Sequence, residues 1–116
     1  NEASIEDGLI LAPISSMVDR DALSQVADFL LPTEDIHTVI TYGVRMSKVY
    51  ISARSNNQNI HLGKIMSKTF ESGSAGGHKS VAGGQISFSS INSENDAEAM
   101  EKITAILKSA FGGGII

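Results

Sequence analysis

The hydrophobic positions of this chain change their period several times, and each change marks an element. Gly8 to Ala12 is a short apolar run that stops at Pro13, the pattern of a buried strand. Asp19 can cap a helix that starts at Arg20. Ala22, Leu23, Val26, Ala27 and Leu30 then form one apolar stripe, and Pro32 ends the segment. Ile36 to Tyr42 is rich in Ile, Val and Thr and predicts a strand. Gly43 to Ser47 predicts a turn, and Lys48 to Arg54 a second strand that completes a hairpin. Side chains alternate along a strand, so Val49, Ile51 and Ala53 share one face and Tyr50, Ser52 and Arg54 share the other.

After a polar loop at Ser55 to Asn59, Ile60 to Phe70 carries Leu62, Ile65 and Met66 at helical spacing, with Lys64 and Lys68 on the wet side. A glycine-rich loop runs from Gly73 to Gly84. Gln85 to Ser89 alternates through Ile86 and Phe88 and predicts a strand. Ser93 is placed to cap a last helix with a buried stripe of Ala97, Met100, Ile103, Leu107 and Ala110, stopped by Gly112. The order β-α-β-β-α-Gly loop-β-α predicts an α/β (α+β) fold: a mixed sheet of about four to five strands with helices packed on it.

Composition narrows the function classes. At 116 residues, with 41% hydrophobic residues, the chain is one domain with an ordinary core. A net charge of −4 argues against a duplex nucleic-acid binder held by a broad basic surface, yet leaves room for a pocket that takes one or two phosphates. The absence of cysteine excludes disulfides, thiol nucleophiles and cysteine-ligated metals. The longest apolar runs, such as Leu9 to Ala12, are too short to span a membrane, and the acidic start Asn1 to Asp7 does not resemble a signal peptide. A soluble, cytoplasmic protein without a membrane partner is expected.

Two places carry candidate chemistry. In the glycine segment, Gly76 and Gly77 precede His78 and Lys79, and Gly83 follows Ala82. Paired glycines admit positive φ and close approach of a ligand to the main chain. A short helix opening at Lys79 would aim the N–H groups of residues 77 to 80 at an anion, and His78 would add a donor. The pattern fits neither the Rossmann nor the P-loop spacing, and reads equally as a flexible loop bearing a surface histidine. The second place is the strand face of Ser52 and Arg54, beside Ser55. A guanidinium there suits bidentate phosphate recognition, or is simply a solvated edge residue. Lys64, on the outer helix face, offers only a screened and distant charge. His37 and His61 read as surface residues, and the scattered carboxylates form no set suited to a hydrolytic metal centre.

Taken together, Ile51-Ser52-Ala53-Arg54-Ser55, a helix, and Ala75-Gly76-Gly77-His78-Lys79-Ser80-Val81-Ala82-Gly83 resemble the first-type DHH-associated domain. That domain ends RecJ-type exonucleases, nano-RNases, phosphoadenosine-phosphate phosphatases and cyclic-dinucleotide phosphodiesterases. Its pattern is a strand closing on Ser-x-Arg-Ser, a helix, then Gly-Gly-Gly-His-x-x-Ala-Ala-Gly. The chain departs from it at Ala75, which should restrict the loop, and at Val81, a volume change on a packed side. The resemblance covers the chain from about Gly8 to the last helix. It implies a substrate-binding domain excised from a longer chain, with Ser52, Arg54, Ser55, Gly76, Gly77, His78, Lys79, Ala82 and Gly83 holding the substrate and no catalytic or metal residue. Catalysis would belong to an N-terminal DHH domain of the same parent chain holding two manganese ions. The ligand would be a short single-stranded nucleic acid or a nucleotide, and the resemblance leaves room for a homodimer. A related piece of alanyl-tRNA synthetase usually lacks the histidine. The second reading is a regulatory or interaction module that keeps the fold without binding substrate, and the third a complete small enzyme.

Overall fold

The structure is a computed structural model that describes residues 4–15, 19–71 and 74–112. Six strands, β1 (Ser4–Glu6), β2 (Leu9–Pro13), β3 (Thr38–Arg45), β4 (Lys48–Ser55), β5 (Ala75–Gly77) and β6 (Val81–Ser87), form one sheet in the order β1-β2-β3-β4-β6-β5. The pair β2–β3 is parallel, and the crossover between them carries helix α1 (Arg20–Leu30); every other pair is antiparallel. Helices α2 (Leu62–Thr69) and α3 (Asp96–Leu107) follow β4 and β6. The α+β class and mixed sheet match the reading of the sequence.

The helices cover both faces of the sheet. Leu9, Leu11, Ile40, Tyr42, Val49, Ile51 and Ala53 turn one way and pack against Leu62 and Met66 of α2 and Ile103 and Leu107 of α3. Ile10, Ala12 and Val39 turn the other way and pack, with Ile36, against Ala27 of α1. The central strand β3 is therefore buried from Thr38 through Gly43, as a strand covered on both sides must be. The Thr41 hydroxyl donates to the Leu23 carbonyl at 2.8 Å and ties α1 to the sheet.

Several local expectations need correction. Among the described residues the sheet has six strands and not four to five; β1 and β5, three residues each, are too short to show a period-two pattern in the sequence. Most of the described part of the glycine segment is a hairpin: Ala75 pairs with Gly84, Gly76 with Gly83 and Gly77 with Ala82. Gly73 lies outside the described residues. Strand β3 runs on to Arg45, and the turn is only Met46-Ser47, both at positive φ (50° and 62°). Strand β6 stops at Ser87, and Phe88–Ile91 form a 3-10 turn. Asn95, not Ser93, caps α3, its side chain accepting from the Glu98 N–H at 2.8 Å. Of the expected stripe, Ile103 and Leu107 are buried, Met100 and Ala110 are half-buried, and Ala97 is exposed while Ala99 is buried in its place. Two cap-forming residues two positions apart, Ser93 and Asn95, left the start of the helix open in the sequence.

Candidate functional site

Strand β4 positions the first part of the site. Its alternation sends Ser52 and Arg54 toward α1, while Ala53 enters the core. The Arg54 side chain is only 15% exposed. Its Nε donates to Asp28 Oδ1 at 2.9 Å, and its Nη1 donates to the Ser52 hydroxyl at 3.2 Å and to the Ala53 carbonyl at 2.9 Å. The Ser52 hydroxyl in turn lies 3.1 Å from that of Ser24 on α1. Ser24, Ser52 and Arg54 line a cavity of about 180 Å³, closed by Arg20, Val81 and Gly83. Gly83 stands opposite Ser52, and a Cβ there would come within 2.7 Å of the Ile51 carbonyl, so glycine lets the strands approach at the cavity wall.

The glycine segment is brought to the same place by the sheet register. Arg54 is paired with Val81 in β6, and the His78 N–H donates to the Val81 carbonyl at 2.8 Å, so the three backbones form one row across the sheet. Lys79 and Ser80 make the turn between them, and the Ser80 carbonyl accepts from Ser55 N–H at 3.0 Å. No helix opens at Lys79. Instead the His78 and Lys79 carbonyls accept from the Gly63 and Leu62 N–H groups at 2.8 and 2.9 Å, so the turn caps the start of α2. An anion site at a helix N-terminus is thus absent from this turn, whose exposed side chains are those of His78, Lys79 and Ser80. Gly77 is required by its φ of +143°, which L-residues rarely adopt.

The two departures from the motif acquire physical accounts. Ala75 is accommodated because its partner is Gly84, where a second Cβ would lie only 2.6 Å from the Ala75 methyl. Val81 does not face a packed side: it is 45% exposed and lines the cavity beside Arg54. Ser55 is not brought to the cavity. It lies one residue beyond Arg54, and its buried hydroxyl is spent on Thr38 at 2.9 Å and the Asn57 N–H at 3.1 Å. Gly76 pairs with Gly83 in the hairpin, and Ala82, buried opposite Ala53, is among the residues that line the cavity. Sequence reasoning missed Ser24 and Asp28, which fall on the α1 side that meets β4; only the packing of α1 on the sheet reveals them. His37 and His61 are half-buried rather than free on the surface. His37 Nδ1 lies 2.7 Å from the Thr38 hydroxyl, and His61 Nδ1 accepts from the Lys64 N–H to cap α2. Among the described residues, no group of three or more His, Asp or Glu could hold a metal ion, and no helix is long and apolar enough to cross a membrane.

The match to known proteins follows this geometry. Residues 6–113 match the DHHA1 domain family. An uncharacterized protein of Methanocaldococcus jannaschii is 33% identical over 103 residues, which are 89% of this chain and 21% of that protein. The chain therefore spans about a fifth of the length of that relative. Among solved structures, the C-Ala domain of Aquifex aeolicus alanyl-tRNA synthetase superposes with a TM-score of 0.64 at 14% identity, over 95% of this chain and 97% of that one. An exopolyphosphatase-related protein from Bacteroides fragilis gives 0.65 at 14% identity, over 92% of this chain and 31% of the other. A pGpG-specific phosphodiesterase from Vibrio cholerae gives 0.53 at 17% identity, over 90% and 34%. At these identities the likeness is one of fold.

Proposed function

This chain belongs to the DHHA1 domain family, and from that premise we propose that it is the substrate-binding part of a DHH-family phosphoesterase. On this reading it holds the phosphate of a nucleotide or a short single-stranded nucleic acid at the row Arg54–Val81–His78. The observation that carries the proposal is the register itself. Two motifs separated by a helix in sequence meet on adjacent strands, with a largely buried arginine beside a small polar cavity. Arg54 Nε and Nη1 are held by Asp28, Ser52 and the Ala53 carbonyl, which fixes the plane of the guanidinium before any ligand arrives. The Ser24 and Ser52 hydroxyls and the exposed His78 ring supply further donors.

Hydrolysis would belong to a metal-bearing domain elsewhere in a longer parent chain, with manganese as its ion. The residues described here do not fit such a centre, and no step of hydrolysis is assigned to them. The test is calorimetric titration of the chain with a mononucleotide. Arg54→Ala should weaken binding by about 1.5–3 kcal/mol, one to two orders of magnitude, and His78→Ala should weaken it less. Unchanged affinity in Arg54→Ala would favour the reading of a regulatory module that keeps the fold without the ligand.

A further inference from the structure

The net charge of −4 conceals a sharp segregation. Between Ile36 and Ser93 stand Arg45, Lys48, Arg54, Lys64, Lys68 and Lys79, against the single acid Glu71. The remaining acids all lie in the flanking segments, which include β1, α1 and α3. The basic half contains β4, α2, β5 and β6, the end of the sheet that holds the Arg54 site. Within it, His61, Lys64 and Lys68 recur on one side of α2 and line a groove of about 640 Å³ whose other wall is Gly77 of β5. Gly63 and Gly77 make the groove this close: a Cβ on Gly63 would overlap the Gly77 carbonyl. Among the described residues, neither Lys64 nor Lys68 has a carboxylate within ion-pair distance, although Glu71 closes the far end of the groove.

We infer that this face of α2 continues the phosphate site into a track for the sugar–phosphate backbone of a single-stranded oligonucleotide. The inference rests on the function proposed above and specifies its substrate as a chain of several phosphates. Arg54 faces α1 and the groove lies on the α2 side of the sheet, so the path between them runs over the hairpin turn bearing His78 and Lys79, which is hydrogen-bonded to Leu62 and Gly63 at the head of the track. A strand held at Arg54 can pass around that turn and onto α2. At a helical rise of about 1.5 Å per residue, His61 to Lys68 spans roughly 10 Å, room for about two to three phosphates of one strand. Among the described residues, His61 is the only ring that lines the groove, so at most one base can stack there. Binding along the track is ionic, indifferent to sequence and sensitive to salt.

The experiment compares a labelled hexanucleotide with a mononucleotide over a series of salt concentrations, using the unaltered chain, Lys64→Ala/Lys68→Ala, Arg54→Ala and Lys108→Ala. Both track lysines are exposed and neither anchors the fold through its side chain. The double variant should lose about tenfold in hexanucleotide affinity at low salt, and its slope of log affinity against log salt should fall by about 1.4, two phosphate contacts' worth. Its affinity for the mononucleotide should stay unchanged, whereas Arg54→Ala should weaken both ligands. Lys108→Ala, just past the end of the acidic α3, should change neither. Hexanucleotide binding and salt slope that survive the double substitution overturn the track, whatever Arg54→Ala does. Loss from the double variant but not from Arg54→Ala would support the track and overturn the site at Arg54.

Discussion

Strand β4 presents two different surfaces from consecutive residues. Toward α2 and α3 it offers Val49, Ile51 and Ala53, joined to a large apolar cluster that extends from Leu9 to Phe111. Toward α1 it offers Tyr50, Ser52 and Arg54, where the apolar cluster is small and the space beside it is polar. The difference separates two tasks. The first face carries the burial that holds the sheet and its helices together. The second surrenders part of that burial to a constrained guanidinium and two hydroxyls, which is affordable only because the other face is well packed.

That division can be broken most directly from the apolar side. Leu107 is fully buried in α3, so Leu107→Ala should cost about 2–5 kcal/mol in urea unfolding. If the polar face contributed comparably to the fold, Arg54→Ala would cost as much. The division predicts instead a change within about 1 kcal/mol for Arg54→Ala, since its partner Asp28 is 63% exposed, while its mononucleotide affinity falls as described above. Asp28 sharpens the comparison with a smaller effect of opposite sign. It holds Arg54 in place but also puts a negative charge beside the bound phosphate. Asp28→Asn keeps an acceptor for Nε and removes the charge, so mononucleotide affinity should rise by roughly threefold, about 0.6 kcal/mol. A loss of affinity in calorimetry would mean that the carboxylate's orienting role outweighs its repulsion.

The smallest effect belongs to the apolar face and to pH. Burial pushes the Tyr42 phenol above its ordinary value of 10.0, against a lesser opposing effect of its hydrogen bond with Thr104 at 2.7 Å. A phenol harder to ionise when folded contributes stability in full below pH 10.0, and that contribution fades as pH rises through the higher folded value. Thermal unfolding followed by circular dichroism should therefore show an alkaline decline in stability that Tyr42→Phe reduces, at the cost of about 1 kcal/mol near neutral pH from the lost hydrogen bond. An identical alkaline decline in Tyr42→Phe would show that another group sets it.

Much of this molecule was legible as pattern. The alternation in Lys48 to Arg54 placed Ser52 and Arg54 on one face, and the stripes of α1 and α2 located both helices, because side-chain direction in a regular element is a local property. Glycine at 76 and 77, His78 and the Ser-x-Arg-Ser segment marked the family for the same reason: they are short, contiguous signals. The tertiary structure alone decided what those signals meet. It made a hairpin of the glycine segment, since pairing of three-residue strands is set by neighbours rather than by periodicity. It forced Met46 and Ser47 into positive φ to close the β3–β4 turn, against their own preferences. It set Asp28 against Arg54 from 26 residues away, and it gathered β4, α2, β5 and β6, which carry most of the basic middle of the sequence, at one end of the sheet. Each of these depends on which surfaces come to lie side by side, and a linear pattern holds that information only through the energy of the packed whole.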